Sequence, residues 1–282
     1  MLKVIKSGFY TTVQDNGRFG YRAYGVPVSG SMDSYSSQFA NALLGNKNDD
    51  AVLEITMTGS KLQFLEPTII AICGADLSPM LNELPVKMNT VLTISANDIL
   101  SFGRLKSGLR TYMAVKGGFL GDKILGSRSM YNGITSSHRI IDNDVLVYDS
   151  FKGDKQRFNA NVKYNNSILE DHILEAYKGP EFNQLPIDIQ KQLLNSNFIV
   201  SKLNNRMAYQ LLPLYKNSLE QILTSPVLPG TIQLTPSGQL IVLMRDCQTT
   251  GGYPRIFQLT EKGINSMSQK LTGSTLKIRL KE

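Results

Sequence analysis

Apolar residues along this chain come mostly in short alternating runs set off by turn residues. The candidate strands of the first half are Leu2–Ile5, Val52–Thr56, Lys61–Phe64, Thr68–Cys73, Val91–Ile94, Ile99–Phe102, Arg110–Val115 and Val145–Tyr148. Those of the second half are Phe198–Lys202, Thr231–Leu234, Leu240–Met244, Ile256–Leu259 and Thr275–Leu280. Strands this short and this evenly punctuated predict barrel or sandwich sheets, not βαβ units. Few segments carry helical spacing. Tyr35 to Leu44 is the clearest, with Ser31 or Asp33 able to cap its start and Gly45 placed for a left-handed C-cap. Pro186 to Leu194 and Lys262 to Lys270 are further candidates, the latter weakened by Gly263.

One motif recurs. Asn97-Asp98, Asn143-Asp144 and Gly273-Ser274 each precede an alternating run and read as tight turns entering strands, as repeated barrel-closing hairpins would require. Between Ser150 and Ser167 the chain is polar and poor in bulky apolar residues. A linker there divides the chain into domains over residues 1–160 and 161–282.

The chain has 282 residues, of which 41% are hydrophobic and 19% charged, an ordinary globular balance for two domains. No apolar run reaches the roughly 18 residues of a membrane helix, and the N-terminus lacks the apolar core of a secretory signal. The expectation is a cytoplasmic protein with no membrane partner. The net charge of +7 raises the question of nucleic acid, but the lysines are scattered and no basic, aromatic-interleaved stripe exists, so none is expected. Cys73 and Cys247 sit in or beside apolar strands and read as buried small hydrophobes. His138 and His172 are isolated, so no metal site is expected.

Three polar constellations could carry chemistry. The first runs from Thr11 to Asp33, where Gly17, Gly20, Gly25, Pro27 and Gly30 bend the backbone. It gathers Asp15, Arg18, Ser29 and Asp33, which could hold an anion and move a proton, or could be a loop tied by its own hydrogen bonds. It lacks the strand-then-helix setting of a dinucleotide fingerprint, and the chain has no phosphate-binding Gly-Lys-[Ser/Thr] loop. The second is Asp246-Cys247-Gln248-Thr249-Thr250-Gly251-Gly252, whose turn could offer hydroxyls and backbone N–H groups to an oxyanion or could simply connect strands. The third pairs Arg110 at a strand start with Arg128 between two serines, suited to clamping acids or to surface pairing. Glu54 lies within an apolar strand, as a solvated face or a paired buried acid.

Several stretches together resemble the allophanate hydrolase subunit 2 family, also called the KipA family. They include Thr12-Val13-Gln14-Asp15-Asn16-Gly17-Arg18-Phe19-Gly20, Gly25-Val26-Pro27-Val28-Ser29-Gly30-Ser31-Met32-Asp33, Leu53-Glu54-Ile55-Thr56 and Gly108-Leu109-Arg110-Thr111-Tyr112-Met113-Ala114-Val115-Lys116-Gly117-Gly118. Leu125-Gly126-Ser127-Arg128-Ser129 and Asp246-Cys247-Gln248-Thr249-Thr250-Gly251-Gly252-Tyr253-Pro254 continue the series in order. The family includes the C-type component of prokaryotic 5-oxoprolinase and part of the carboxyltransferase domain of urea carboxylase. The resemblance implies a mainly β fold of two cyclophilin-like β-barrel domains with a few short helices. It further implies ATP-dependent hydrolysis of 5-oxo-L-proline to L-glutamate, with ATP and Mg2+ serving the complex. The implied partners are a B-type (KipI-like) subunit and an A-type lactam hydrolase subunit. In that reading Asp15, Asp33 and Arg18 act at the reacting group. Ser29, Glu54, Arg110, Arg128, Asp246, Thr249, Thr250, Gly251 and Gly252 bind substrate. The resemblance leaves two alternatives: a carboxyltransferase component served by biotin on another protein, or a non-enzymatic regulator of a KipI-type kinase inhibitor.

Overall fold

The computed structural model describes residues 1–153 and 162–281. The expected boundary at residue 160 lies outside the described residues. Two compact units emerge, one of Met1–Arg18 and Ser29–Leu169, the other of Phe19–Val28 and Glu170–Glu282. The insertion of Phe19–Val28 into the second unit left no mark in the hydrophobic pattern. The fold is mainly β.

The first unit contains β1 (Leu2–Lys6), β2 (Tyr10–Gln14), β3 (Val52–Thr56), β4 (Lys61–Phe64), β5 (Thr68–Asp76) and β6 (Pro79–Leu81). It continues with β7 (Leu84–Pro85), β8 (Val91–Ile94), β9 (Ile99–Phe102), β10 (Ser107–Val115) and β11 (Val145–Leu146), and has helices α1 (Ser34–Leu43) and α2 (Ser167–Glu170). Its strands form a six-stranded sheet in the order β11-β1-β4-β9-β6-β7 and a five-stranded sheet in the order β2-β3-β10-β5-β8. Leu2, Val4, Leu62, Phe64 and Leu100 of the first sheet meet Leu53, Ile55, Ile70, Ile72, Met113 and Val115 of the second in one core. The reverse face of the five-stranded sheet is covered by α1, through Phe39, Ala40 and Leu44 on Val52, Ala71, Cys73, Tyr112 and Ala114. Double coverage explains why β5 reads as a continuous apolar run: eight of its nine residues are buried.

The start of α1 follows the sequence. Asp33 is the N-cap and accepts from the Ser36 backbone N–H, and Gly45 has φ +62° just beyond the helix. The strand β2 departs from the expectation of a loop over Thr11–Gln14. Thr11, Thr12 and Gln14 are buried polar residues, so their alternation carried no hydrophobic signal.

The second unit contains β12 (Ile173–Lys178), β13 (Phe198–Asn204), β14 (Ala208–Leu212), β15 (Ser225–Pro226), β16 (Thr231–Leu234), β17 (Leu240–Leu243), β18 (Thr250–Gly251), β19 (Arg255–Leu259) and β20 (Thr275–Leu280). Its helices are α3 (Ile187–Asn195) and α4 (Glu261–Ser268). Seven strands close into a barrel in the order β12-β19-β16-β17-β14-β13-β20, and a parallel β12–β20 pairing completes the ring. Leu174, Phe198, Val200, Tyr209, Leu211, Ile232, Val242, Phe257 and Leu276 are buried along its strands. Within α4 Gly263 has a packing reason: a Cβ there would lie 2.6 Å from the Glu175 carbonyl oxygen.

The recurring turn is one geometry used three times. Asn97, Asn143 and Gly273 all have positive φ (72°, 72° and 85°). The next residue's side chain accepts a backbone N–H three residues upstream: Asp98 from Ser95, Asp144 from Ile141 and Ser274 from Leu271. Only the third copy feeds the closed barrel; the other two lead into β9 and β11 of the six-stranded sheet.

Candidate functional site

The first unit brings two groups of the candidate residues together around one backbone turn. Antiparallel register places Glu54 of β3 opposite Tyr112 of β10 and opposite Thr12 of β2. All three point to the side of the sheet that α1 covers. The chain entering α1 is pinned there: the Met32 N–H donates to Glu54 Oε2 at 2.7 Å, and the Asp33 N–H donates to the Tyr112 hydroxyl at 2.8 Å. The Tyr112 hydroxyl in turn donates to Glu54 Oε2 at 2.9 Å. Arg110, two residue pairs along the ladder and so on the same face, lies 3.8 Å from Glu54 Oε1, with both side chains almost fully buried. Glu54 is thus a paired buried acid, and the solvated alternative is dropped.

Asp33 faces hydroxyls. Its Oδ1 accepts the Ser36 N–H at 3.0 Å and its Oδ2 accepts the Ser36 hydroxyl, which is itself 2.7 Å from the Tyr164 hydroxyl. Burial pushes the Tyr112 phenol well above its ordinary pKa, with the Glu54 and Asp33 charges adding to the effect. Tyr164 and the Cys73 thiol are likewise raised by burial first and by Asp33 second. These groups therefore stay protonated, and the Tyr112 hydroxyl donates to Glu54.

The second group centres on Asp15. Its Oδ1 accepts from the Gly17 N–H (2.8 Å), the Ser127 hydroxyl (2.6 Å) and the Ser129 hydroxyl (2.7 Å), and its Oδ2 accepts from the Arg128 N–H (2.6 Å). Arg18 is fully buried and donates to the Ser129 carbonyl. Arg128 contributes to this knot through its backbone, while its guanidinium donates to the Gly121 carbonyl at 3.0 Å. The two groups meet at Ser29-Gly30-Ser31. The Ser31 N–H donates to the Asp15 carbonyl, and a Cβ on Gly30 (φ +88°) would lie 3.0 Å from the Asn16 backbone, so only glycine fits. Ser29 and Ser31 are buried, and their hydroxyls have no hydrogen-bond partner among the described residues.

The remaining candidates lie in the second unit. Asp246 is engaged by Arg206, with Nε on Oδ2 at 2.7 Å and Nη2 on Oδ1 at 3.1 Å. Thr250 and Gly251 form β18, paired with β15, and the carbonyls of Thr249 and Gly252 accept from the N–H groups of Val227 and Ile222. The expected glycine turn therefore contains a two-residue strand. Arg22 clamps this segment by donating to the carbonyls of Val227 and Thr249. Nearby Cys247 is buried, which raises its thiol pKa to about 11.

Sequence reading passed over Tyr112, Ser36, Tyr164, Arg22 and, as the partner of Asp246, Arg206 as site members. Tyr112 stands opposite an acid only through the strand register, and Arg22 and Tyr164 offered no local signal. Among the described residues no group of three or more His, Cys, Asp or Glu is placed to hold a metal ion. His138 and His172 are exposed.

Comparison with known proteins decides the family. The carboxyltransferase domain, subdomain A and B, matches residues 24–280. The chain belongs to this carboxyltransferase-domain family. A relative from Escherichia coli, named as the C-type component of 5-oxoprolinase, is 34% identical over 275 residues, covering 95% of this chain and 87% of the relative. Urea amidolyase of Lachancea kluyveri is 42% identical over 130 residues, 46% of this chain and 7% of that protein. Among solved structures, Kluyveromyces lactis urea amidolyase superposes with a TM-score of 0.86 at 27% identity, over 98% of this chain and 18% of that one. Urea carboxylase of the same yeast gives a TM-score of 0.84 at 27% identity, over 98% of this chain and 27% of its own. The family thus occurs both as a separate chain and as one part of much longer ones.

Proposed function

We propose that this chain is the C-type component of an ATP-dependent 5-oxoprolinase, acting with A-type and B-type subunits to open 5-oxo-L-proline to L-glutamate. One observation carries the reading: the match to the C-type 5-oxoprolinase component of Escherichia coli runs almost end to end in both chains. The Lachancea kluyveri urea amidolyase match covers under half of this one. Ring opening adds water across a lactam C–N bond, and the departing nitrogen takes up a proton. Resonance makes that bond resistant, which is why coupling to ATP is chemically sensible. ATP and Mg2+ are assigned to the complex as a whole.

Within the first unit Asp33 is the better proton-handling candidate. Its line of hydroxyls through Ser36 to Tyr164 can pass a proton, whereas Asp15 is committed to four donors and positions the loop. Arg18 and Arg110, with Ser29, are assigned to an anionic group of the substrate, and Glu54 holds Arg110 in place. In the second unit Thr249, Thr250, Gly251 and Gly252 are assigned to an anionic oxygen. Asp33→Asn in the reconstituted complex is expected to lower turnover by about a hundredfold without preventing assembly. Full activity in that variant removes the role.

The second reading is a carboxyltransferase component, favoured by the family match and by the 42% identity to Lachancea kluyveri urea amidolyase. Biotin would then arrive on another protein. The two readings separate in one comparison: glutamate release from 5-oxoproline against carboxylation of urea by a supplied biotinylated carrier.

A further inference from the structure

The second unit exposes several large apolar side chains around the segment clamped by Arg22. Tyr24 is 81% exposed, Leu223 94%, Leu228 54% and Tyr253 36%. Backbone contacts bring Tyr24, Leu223, Leu228 and Tyr253 together. Arg22 donates to the carbonyls of Val227 and Thr249; the Val227 N–H donates to the Thr249 carbonyl and the Ile222 N–H to the Gly252 carbonyl at 3.0 Å. Leu223 and Leu228 flank β15, Tyr253 follows β18, and Tyr24 is two residues beyond Arg22 in the same tight turn. Single exposed apolar residues need no explanation, but aromatic and aliphatic side chains gathered on one hydrogen-bonded frame resemble the centre of a protein interface.

We propose that Tyr24, Leu223, Leu228 and Tyr253 form a docking surface for a partner subunit that presents an apolar face. The inference rests on the subunit reading above and specifies where the partner sits. The choice of occupant follows from the relatives. The Escherichia coli protein is named as one subunit of an enzyme, and in Kluyveromyces lactis urea carboxylase the matching region makes up 27% of a longer chain. Both place this fold beside other protein segments. Arg22 ties the frame by donating to the Val227 and Thr249 carbonyls, and the two tyrosines combine apolar area with a hydroxyl for the rim.

The test uses the full chain and the purified B-type subunit, with affinity measured by titration calorimetry. The Tyr24→Asp, Leu223→Asp double variant is expected to bind roughly thirtyfold or more weakly, with its thermal midpoint unchanged. Ile187→Asp, which charges a 67% exposed residue on α3 away from this frame, is expected to bind as wild type. Three results overturn the proposal: double-variant affinity within about twofold of wild type, no binding by the wild type, or self-association of the wild type that the same substitutions abolish. Chain-dependent glutamate release measured in parallel tells the failures apart. If it persists while the double variant binds normally, the surface is wrong and the functional reading stands.

Discussion

The two units handle buried charge differently. In the first, Asp15, Asp33 and Glu54 are each wrapped by several donors, many from the backbone, and the acids share a single turn at Ser29-Gly30-Ser31. In the second, charge is handled pairwise. Arg206 holds Asp246, and Arg255 holds Glu181 so closely that the Glu181 carboxyl is pulled below its usual range, chiefly by hydrogen bonding from that guanidinium. A pair can be removed with local damage. A network couples its members, so removing one of the first unit's acids is felt by its neighbours.

Substitution tests that contrast directly. Glu54→Ala leaves Arg110 buried without its acid and strips acceptors from Met32 and Tyr112. Chemical denaturation should show a loss of about 3–5 kcal/mol; a loss near zero would mean that the network is not a stability element. Asp15→Ala orphans four donors and is expected to cost about 3 kcal/mol in the same measurement. Asp246→Ala, which breaks a single pair, should cost about 2 kcal/mol. If its cost exceeded that of Glu54→Ala, the distinction between network and pair would collapse. The smallest change is at the start of α4, where Thr260 caps Gly263. Thr260→Ala is expected to lower stability by about 1 kcal/mol.

Lys270 gives the second unit a pH signature opposite in sign to that of the first unit's buried phenols and thiol, whose raised pKa values make stability fall as pH rises into the alkaline range. It is buried just past α4, and burial lowers its pKa from 10.5 to about 8, against the opposing effect of Asp171. Between those values the unfolded chain binds a proton that the folded chain does not, so this contribution to stability grows as pH rises from about 8 to 10.5 and is lost on the way back down. Denaturation across that range should show a steeper rise for wild type than for Lys270→Met. Parallel profiles would indicate that Lys270 keeps an ordinary affinity for its proton.

The elements legible in the sequence were those whose reason is local. Helix α1 announced itself through Asp33, its apolar spacing and Gly45; the three repeated turns did so through Asn or Gly followed by a short acceptor. Strand β2 was hidden because its inward residues are threonines and a glutamine, and β18 because two residues between glycines and threonines carry no period. Asp15, Arg18, Ser29 and Asp33 could be grouped from their closeness in sequence. The Tyr112–Glu54 pairing and the reach of Tyr164 to Ser36 depend on strand register and long-range packing, which no local pattern encodes. Gly263 read as a weakness in α4, but its meaning lies in a carbonyl on another element, Glu175.

The central claim is that this chain is a necessary part of an ATP-dependent 5-oxoprolinase. The most direct measurement is glutamate release from 5-oxoproline by the A-type and B-type subunits with ATP, titrated with this chain. The account predicts negligible release in its absence and a rise that saturates at a fixed ratio to the other subunits. Full release without it would contradict the assignment.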